Sequence, residues 1–211
     1  GIPILPPDGE AVIYRNFIEG AGARAIGVGY PMQRNIAYDA DQMRLALVWQ
    51  GAFIDAARHW NGRGQGFQPP LGYNVYQCVE GAPFAHLESS DSPWPDTARK
   101  TSQQRPDNGY IFKGYRLDEQ RFPEVRYLFE GRPVTDVCLP IVPGGAAEAR
   151  LVRTIRIGGS ADDLYFRAAS GNTIEQNAKG EFVIDGGEAR MLLECEGAEP
   201  IVRNSGGKKE L

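Results

Sequence analysis

Residues 35–66 read NIAYDADQMRLALVWQGAFIDAARHWNGRGQG and contain the densest apolar run of the chain, so this stretch decides the fold. As a helix, the consecutive apolar residues from Leu45 to Trp49 would surround the whole cylinder with apolar surface. A helix with one core-facing stripe does not show that pattern. As a strand, every second residue from Met43 to Trp49 lies on one face, and the residues between them lie on the other. We therefore predict a strand here.

Gln50 and Gly51 interrupt this strand, and a second strand is predicted from Phe53 through Asp55. Elsewhere, short runs of β-branched and aromatic residues alternate with turn signals at a spacing of roughly 8–12 residues. The other predicted strands are residues 11–19, 24–30, 35–39, 74–78, 84–88, 110–118, 125–131, 133–142, 149–158, 163–170, 181–185, 189–197 and 200–204. This pattern predicts an all-β fold, a single large antiparallel β-sandwich.

The predicted organisation of the 211 residues is one domain with short ends. Residues 1–10 are rich in proline and form an extended lead-in, residues 11–204 form the sandwich, and residues 205–211 form a polar tail that we expect to fray. One long irregular loop is predicted between about Asn61 and Asn108. A loop of that length inside a compact domain is usually functional or mobile.

Composition excludes several classes of protein. The net charge is −4 and the basic residues are scattered along the chain, which argues against a nucleic-acid partner. No apolar run approaches the roughly 18 residues that a transmembrane helix needs, and no signal peptide opens the chain. We therefore predict neither a membrane span nor nucleic-acid binding.

The cysteines and histidines indicate no metal or cofactor. Cys78, Cys138 and Cys195 are far apart and odd in number, and they match neither a zinc spacing nor a CxxCH haem motif. They are either buried small apolar residues or one disulfide with a remaining thiol. His59 and His86 are the only histidines, and their spacing does not require a metal.

No motif for catalysis is present. The chain lacks a GxSxG elbow, and its cysteines are in no recognisable reactive context. Pairs of carboxylates could support glycoside hydrolysis, but their separation cannot be read from sequence. The candidates are Asp39, Asp55, Asp118, Glu124 and Asp136. For Asp39 and Asp41, which resemble part of a calcium loop, turn chemistry is the better interpretation.

Arg153 stands out on strand 149–158, because alternation places it on a face with Leu151, Ile155 and Ile157. An arginine on a mainly apolar face needs a carboxylate partner or a position at the edge of the sheet. We therefore predict one of these two solutions for Arg153.

Aromatic and polar residues collect in the long loop. Aromatic rings stack on the apolar faces of sugars, while amide and guanidinium groups bond hydroxyls. The predicted ligand-binding residues are His59, Trp60, Asn61, Arg63, Tyr73 and Trp94, accompanied by Phe67 and Tyr76. The alternative interpretation is that these aromatic residues cover the edge of the sandwich.

The strings RAIGVGYP, NIAYDADQMRLALVWQGAFIDAARHWNGRGQGFQPPLG, GYIFKGYRLDEQRFPEVRYLFEG and LVRTIRIGG carry a resemblance that covers residues 11–159. They resemble an uncharacterised domain of secreted bacterial proteins, found beside c-type haem modules and sugar-dehydrogenase-like propellers. The resemblance implies a periplasmic or secreted location and an accessory role. The later half is similar in texture to the supersandwich of galactose mutarotase-like proteins, whose catalytic His and Glu are not recognisable here.

Three functions follow from these observations. The first is a non-catalytic accessory module that binds carbohydrate or another polyol. The second is a sugar-active enzyme (epimerase, lyase or hydrolase) with an acid–base pair in the loop cleft, for which a concave site must hold His59 or His86 within hydrogen-bond reach of a carboxylate. The third is a structural domain that docks a c-type cytochrome or a dehydrogenase, which an exposed apolar patch would favour.

Overall fold

The computed structural model describes residues 3–57, 67–96, 109–141, 144 and 150–211. The strands in these ranges are β1 (Val12–Ile18), β2 (Gly22–Tyr30), β3 (Arg34–Asp39), β4 (Arg44–Gln50), β5 (Tyr73–Gln77), β6 (Phe84–His86), β7 (Tyr110–Leu117), β8 (Pro123–Phe129), β9 (Arg132–Ile141), β10 (Arg150–Ile157), β11 (Leu164–Phe166), β12 (Ser170–Gly171), β13 (Ile174–Gln176), β14 (Phe182–Ile184), β15 (Ala189–Met191), β16 (Arg203–Ser205) and β17 (Lys208–Glu210). These strands pair antiparallel throughout, and the predicted all-β class is confirmed.

Two large sheets form the sandwich. One has five strands in the order β1-β2-β3-β4-β5, and the other has four in the order β10-β9-β8-β7. Their facing sides share one hydrophobic core, to which Ile36 and Met43 contribute from the first sheet and Val125 and Val134 from the second. The Tyr30 hydroxyl crosses between the sheets and donates to a backbone carbonyl of β9. The predicted antiparallel sandwich is therefore the architecture that positions every site described below.

The predicted alternation of β4 is wrong beyond Leu45. Ala37 pairs with Leu47 and Tyr38 with Leu45, so Ala46 is an extra residue that forms a β-bulge. Met43 and Leu45 face the inter-sheet core, whereas Leu47 and Trp49 were predicted on the same face but pack on the opposite side of the sheet.

That opposite side has its own core, covered by two crossing segments, 51–57 and 67–72. Ile54 forms a bridge with Pro70, so the predicted second strand from Phe53 to Asp55 is reduced to isolated bridges. The Phe53 ring lies over two glycines of β2, and a Cβ at Gly29 would approach its Cγ to 2.9 Å. Glycine at these positions therefore leaves room for the Phe53 ring against the strand.

Residues 168–211 form two small three-stranded sheets, β13-β14-β15 and β12-β17-β16, around a third hydrophobic core. The predicted fraying of the tail is wrong, because β17 pairs with both β12 and β16. Leu211 is buried in this core, and its backbone N–H donates to the Ala169 carbonyl at 2.9 Å. The domain boundaries predicted from sequence stay a prediction.

The two-stranded sheet of β6 and β11 joins these parts, since Phe84 of β6 packs on Phe129 of the sandwich and on Phe166 of β11. β5 and β6 confirm the short strands predicted within the long loop. No helix in the described ranges has the length and apolar character that crossing a bilayer requires.

Candidate functional site

Four of the predicted ligand-binding residues, His59, Trp60, Asn61 and Arg63, lie outside the described residues. Tyr73 and Trp94 are described, and they have different neighbours. Tyr73 begins the edge strand β5 and Trp94 lies beside the small C-terminal sheets. The grouping of all six residues in one site stays a prediction.

Tyr73 is an exposed aromatic residue at one end of residues 67–73. Its side chain is 57% exposed and lies over Gly51, where a Cβ would approach the ring to 2.9 Å. At the other end of the same segment, the 46% exposed ring of Phe67 packs edge-on against Phe17, with centroids 5.8 Å apart. Open rings at both ends of residues 67–73 leave apolar faces available to a ligand.

Trp94 is engaged within the protein. Its indole Nε1 donates to the Ala82 carbonyl at 3.0 Å, and the Arg167 guanidinium lies 4.8 Å from the ring centroid. A cation over the ring is a stabilising contact that occupies one face of the indole. The other aromatic residue of this region, Tyr76, is half-buried, and burial together with the nearby Cys78, Asp185 and Glu188 raises its pKa to about 12.

His86 meets the distance part of the test for an acid–base pair, and its place in a concave site stays a prediction. Its Nε2 lies 2.7 Å from Oε2 of Glu130, and both side chains are more than one third exposed. Glu130 also accepts from Arg132 at 3.3 Å, and the imidazole stacks on Phe129 with centroids 5.9 Å apart. The sequence did not indicate this pair, because its members are 44 positions apart and meet only through the packing of β6 on the β8–β9 hairpin.

A buried ion pair occupies the centre of the sandwich. Arg153 donates to Asp136 through Nε at 3.0 Å and Nη2 at 2.6 Å, and Asp136 is fully buried. Since β10 is also an edge strand, both solutions predicted for Arg153 are present. The Tyr38 hydroxyl of the facing sheet donates to Asp136 at 3.3 Å.

The phenol and thiols near this ion pair, those of Tyr38, Cys78 and Cys138, have raised pKa values. Burial first, and the Asp136 charge second, raise the pKa of Tyr38 well above its ordinary value. Burial raises the pKa of Cys78 to about 11 and that of Cys138 to about 12, although the Arg153 charge acts in the opposite direction. Thiols and phenols with such pKa values stay protonated at neutral pH. The cluster therefore joins the sheets and offers no nucleophile.

The three thiols are unpaired, which resolves the two alternatives left by the sequence. Cys138 is buried and Cys78 is largely buried, as expected for small apolar residues. Cys195 is exposed, so burial does not hold for it.

The candidate carboxylates have structural partners. Asp39 accepts from the backbone of Asp41 at 2.9 Å, as predicted for turn chemistry. Asp55 accepts from a backbone N–H in the same way, and Asp118 accepts from two within its own turn. Glu124 accepts from Arg126 at 2.8 Å. Within the described ranges no three potential metal ligands come together.

Comparisons with protein-family models, with curated proteins and with solved structures found no match for this chain. The suspected kinship with a domain of secreted bacterial proteins therefore stays a prediction from sequence.

Proposed function

We propose that this chain is a non-catalytic accessory module that binds carbohydrate or another polyol. The observation that carries the proposal is the exposure of the Tyr73 ring, with a second exposed ring, Phe67, at the other end of residues 67–73. A sugar presents apolar C–H faces that pack on such rings, and the burial of that area supplies binding free energy.

Polar groups suited to hydroxyls lie beside the rings. Asn74 and Gln77 are exposed on β5, and their amides can both donate and accept hydrogen bonds. In sequence, the predicted binding residues His59 to Arg63 fall between the segments that end at Ala57 and begin again at Phe67. An apolar platform with a few polar groups is the usual composition of a carbohydrate site.

The engagement of the candidate carboxylates in turns and ion pairs supports a binding role over a catalytic one. The periplasmic or secreted location, and the neighbouring haem or dehydrogenase module, rest on the sequence resemblance alone. They belong to the proposal as its biological setting.

The proposal is tested by titrating soluble oligosaccharides of varied composition into the protein while tryptophan fluorescence is recorded. Tyr73→Ala should weaken binding of a responding sugar roughly five- to tenfold, because one stacking ring is removed. Ile111→Ala is the matched control, since Ile111 is 55% exposed but lies on the other large sheet. Absence of binding across the panel, or equal loss in both variants, would refute the proposal.

A second candidate function is a sugar-active enzyme, favoured by the 2.7 Å contact between His86 and Glu130. A carboxylate and an imidazole within hydrogen-bond reach can transfer a proton to or from a substrate. His86→Gln and Glu130→Gln should each abolish turnover of any sugar that the protein cleaves or epimerises. Glu124→Gln, which removes another carboxylate paired with an arginine, should leave turnover intact. Turnover that survives both site variants would eliminate this candidate.

A further inference from the structure

The outer face of the four-stranded sheet gathers basic side chains on a chain whose net charge is negative. Alternation along β7–β10 sends one set of residues to the inter-sheet core and the other set to solvent. The outward-facing charged residues are Lys113, Arg116, Arg126, Arg150 and Arg156, against the single carboxylate of Glu124. Acidic residues such as Asp118 and Glu130 lie in the turns beyond the strand ends.

The pairing register brings these residues together. Arg126 and Arg156 both lie opposite Thr135 of the central strand β9, one from each side, and Arg116 lies opposite Glu124. Residues that are 30 positions apart in sequence are thereby separated by two strand spacings, about 10 Å. The scattering of basic residues along the sequence concealed this face.

Among the described residues, most of these basic side chains have no carboxylate partner. Arg126 pairs with Glu124. Among the ion pairs of the described residues, none involves Arg116, Arg150 or Arg156. Guanidinium groups that lack an internal carboxylate are available to one supplied from outside.

Apolar side chains are interleaved with the arginines. Ile111, Ile141 and Val152 are exposed large apolar residues of this sheet. At one end of the face lies a hollow of about 280 Å³, whose apolar lining is Leu117, Phe122, Pro123, Val137 and Leu139. Arg116, Asp118 and Glu124 are its charged lining residues. Such a hollow fits one apolar side chain of a partner, while the carboxylates of that partner would contact the arginines farther along the face.

We propose that this face, the outer surface of β7–β10, docks a partner protein whose surface presents carboxylates around an apolar anchor residue. Arginine combined with aliphatic residues is typical of protein interfaces. The outward positions of these four strands carry no aromatic ring on which a sugar could stack. A symmetric contact between two copies of the face would oppose like charges, which disfavours self-association here.

The size of the face fits a transient contact. Four strands about 4.8 Å apart and about 3.3 Å per residue over eight residues give roughly 500 Å². A standard interface buries about 800 Å² per partner, so a face of this size matches the smaller contacts of transient complexes.

The test measures the fluorescence anisotropy of a labelled peptide of alternating Glu and Leu as the protein is added. The acidic peptide should bind, a Lys and Leu peptide of equal length should not, and affinity should fall as salt is raised. The double variant Arg126→Gln/Arg156→Gln should weaken binding at least tenfold. The control Lys179→Gln/Arg190→Gln changes net charge equally on exposed residues of the C-terminal sheets and should change affinity less than twofold.

Further arms separate the alternatives. Val137→Phe, which fills the hollow, should weaken the Glu and Leu peptide more than a Glu and Ser peptide. Tighter binding of heparin or of phosphatidylglycerol vesicles than of the peptide, lost in the same double variant, would overturn a protein partner. Equal loss in the control variant would overturn the face itself. Tyr73→Ala should leave peptide binding unchanged. The result of the peptide experiment is therefore independent of the result of the carbohydrate titration.

Discussion

Two buried carboxylates, Asp136 in the sandwich and Glu210 in the C-terminal sheets, are neutralised in different ways. Asp136 accepts hydrogen bonds from Nε and Nη2 of one arginine, Arg153, which lies on the adjacent strand. Glu210 is held by two arginines, with Arg167 3.0 Å from Oε2 and Arg203 3.2 Å from Oε1. The first pair is completed within one sheet and receives Tyr38 from the other, whereas the second joins segments that are distant in sequence.

The arginines around Glu210 also bind the chain that follows β5. Arg167 donates to the Glu80 carbonyl, and Arg203 donates to the carbonyls of Ser90 and Ser92. Glu210 therefore fastens the C-terminal sheets to residues 80–92. Asp136 therefore supports the core of the sandwich, whereas Glu210 supports the junction between the C-terminal sheets and residues 80–92.

The largest expected effect comes from breaking the Asp136 pair. Arg153→Met should lower the free energy of unfolding by about 3–5 kcal/mol, because it leaves a buried carboxylate without its partner. The double variant Asp136→Leu/Arg153→Met should recover most of that loss, since no buried charge remains. Urea denaturation followed by circular dichroism measures both. If Arg153→Met were as stable as the parent, the ion pair would not be what stabilises the sandwich.

A smaller effect is expected at Glu210. Glu210→Gln keeps the shape of the side chain but removes the charge, and should cost about 2 kcal/mol, the value of charge-assisted hydrogen bonds. Glu188→Gln, at an exposed position of the same region, is the control. A loss confined to the C-terminal sheets would appear in hydrogen exchange as faster exchange of β16 and β17, while β8 stays protected. Uniform loss would contradict the assignment of Glu210 to a junction.

The Glu210 carboxylate also makes the stability of the folded protein depend on pH. Burial opposes its ionisation, but hydrogen bonds from Ser205 and Arg167 and the charges of both arginines outweigh burial and lower the pKa of Glu210. A lowered folded-state pKa stabilises the protein above the unfolded value of about 4.3, and this stability is lost as pH falls through the folded value. The stability difference between parent and Glu210→Gln should therefore be constant from pH 6 to 8 and shrink below about pH 4. A constant difference down to pH 3 would contradict this.

The smallest expected effect concerns thiol reactivity, which differs between Cys195 of the C-terminal region and the two cysteines of the sandwich. At pH 8, a maleimide should modify Cys195 rapidly, whereas Cys78 and Cys138 of the sandwich react slowly because burial raises their pKa values. Cys195→Ser should remove the fast phase with little change in stability. Three thiols of equal rate in the native protein would show that the sandwich is not the better protected region.

Much of the sandwich was predictable because its signals are local. Alternation placed Arg153 on an apolar face, and burial of that face required a carboxylate partner or an edge position, both of which the structure has. The turn between β8 and β9 is also local, since Glu130 and Gly131 both adopt the positive φ that a tight hairpin turn needs.

Most features that the sequence analysis missed depend on contacts between residues that are distant in sequence. The tail containing Glu210 is polar by composition, and its order depends partly on Arg167, which is 43 positions away. Arg203 lies opposite Glu210 in the β16–β17 hairpin, for which Gly206 and Gly207 were a local signal that the sequence analysis missed. The pairing of His86 with Glu130 depends on tertiary packing. Tyr73 and Trp94 lie in different surroundings, and the sugar titration tests whether the six predicted residues act as one site.

The extra residue at Ala46 has a consequence for reading related sequences. A chain that lacks this one residue would, by simple alternation, present its equivalents of Leu47 and Trp49 to the inter-sheet core, exchanging the contents of the two layers. An alignment gap moved by a few positions would therefore equate side chains that lie on opposite sides of the same sheet. Deleting Ala46 should be far more damaging than substituting it, because the deletion shifts every later side chain of β4 while a substitution alters one.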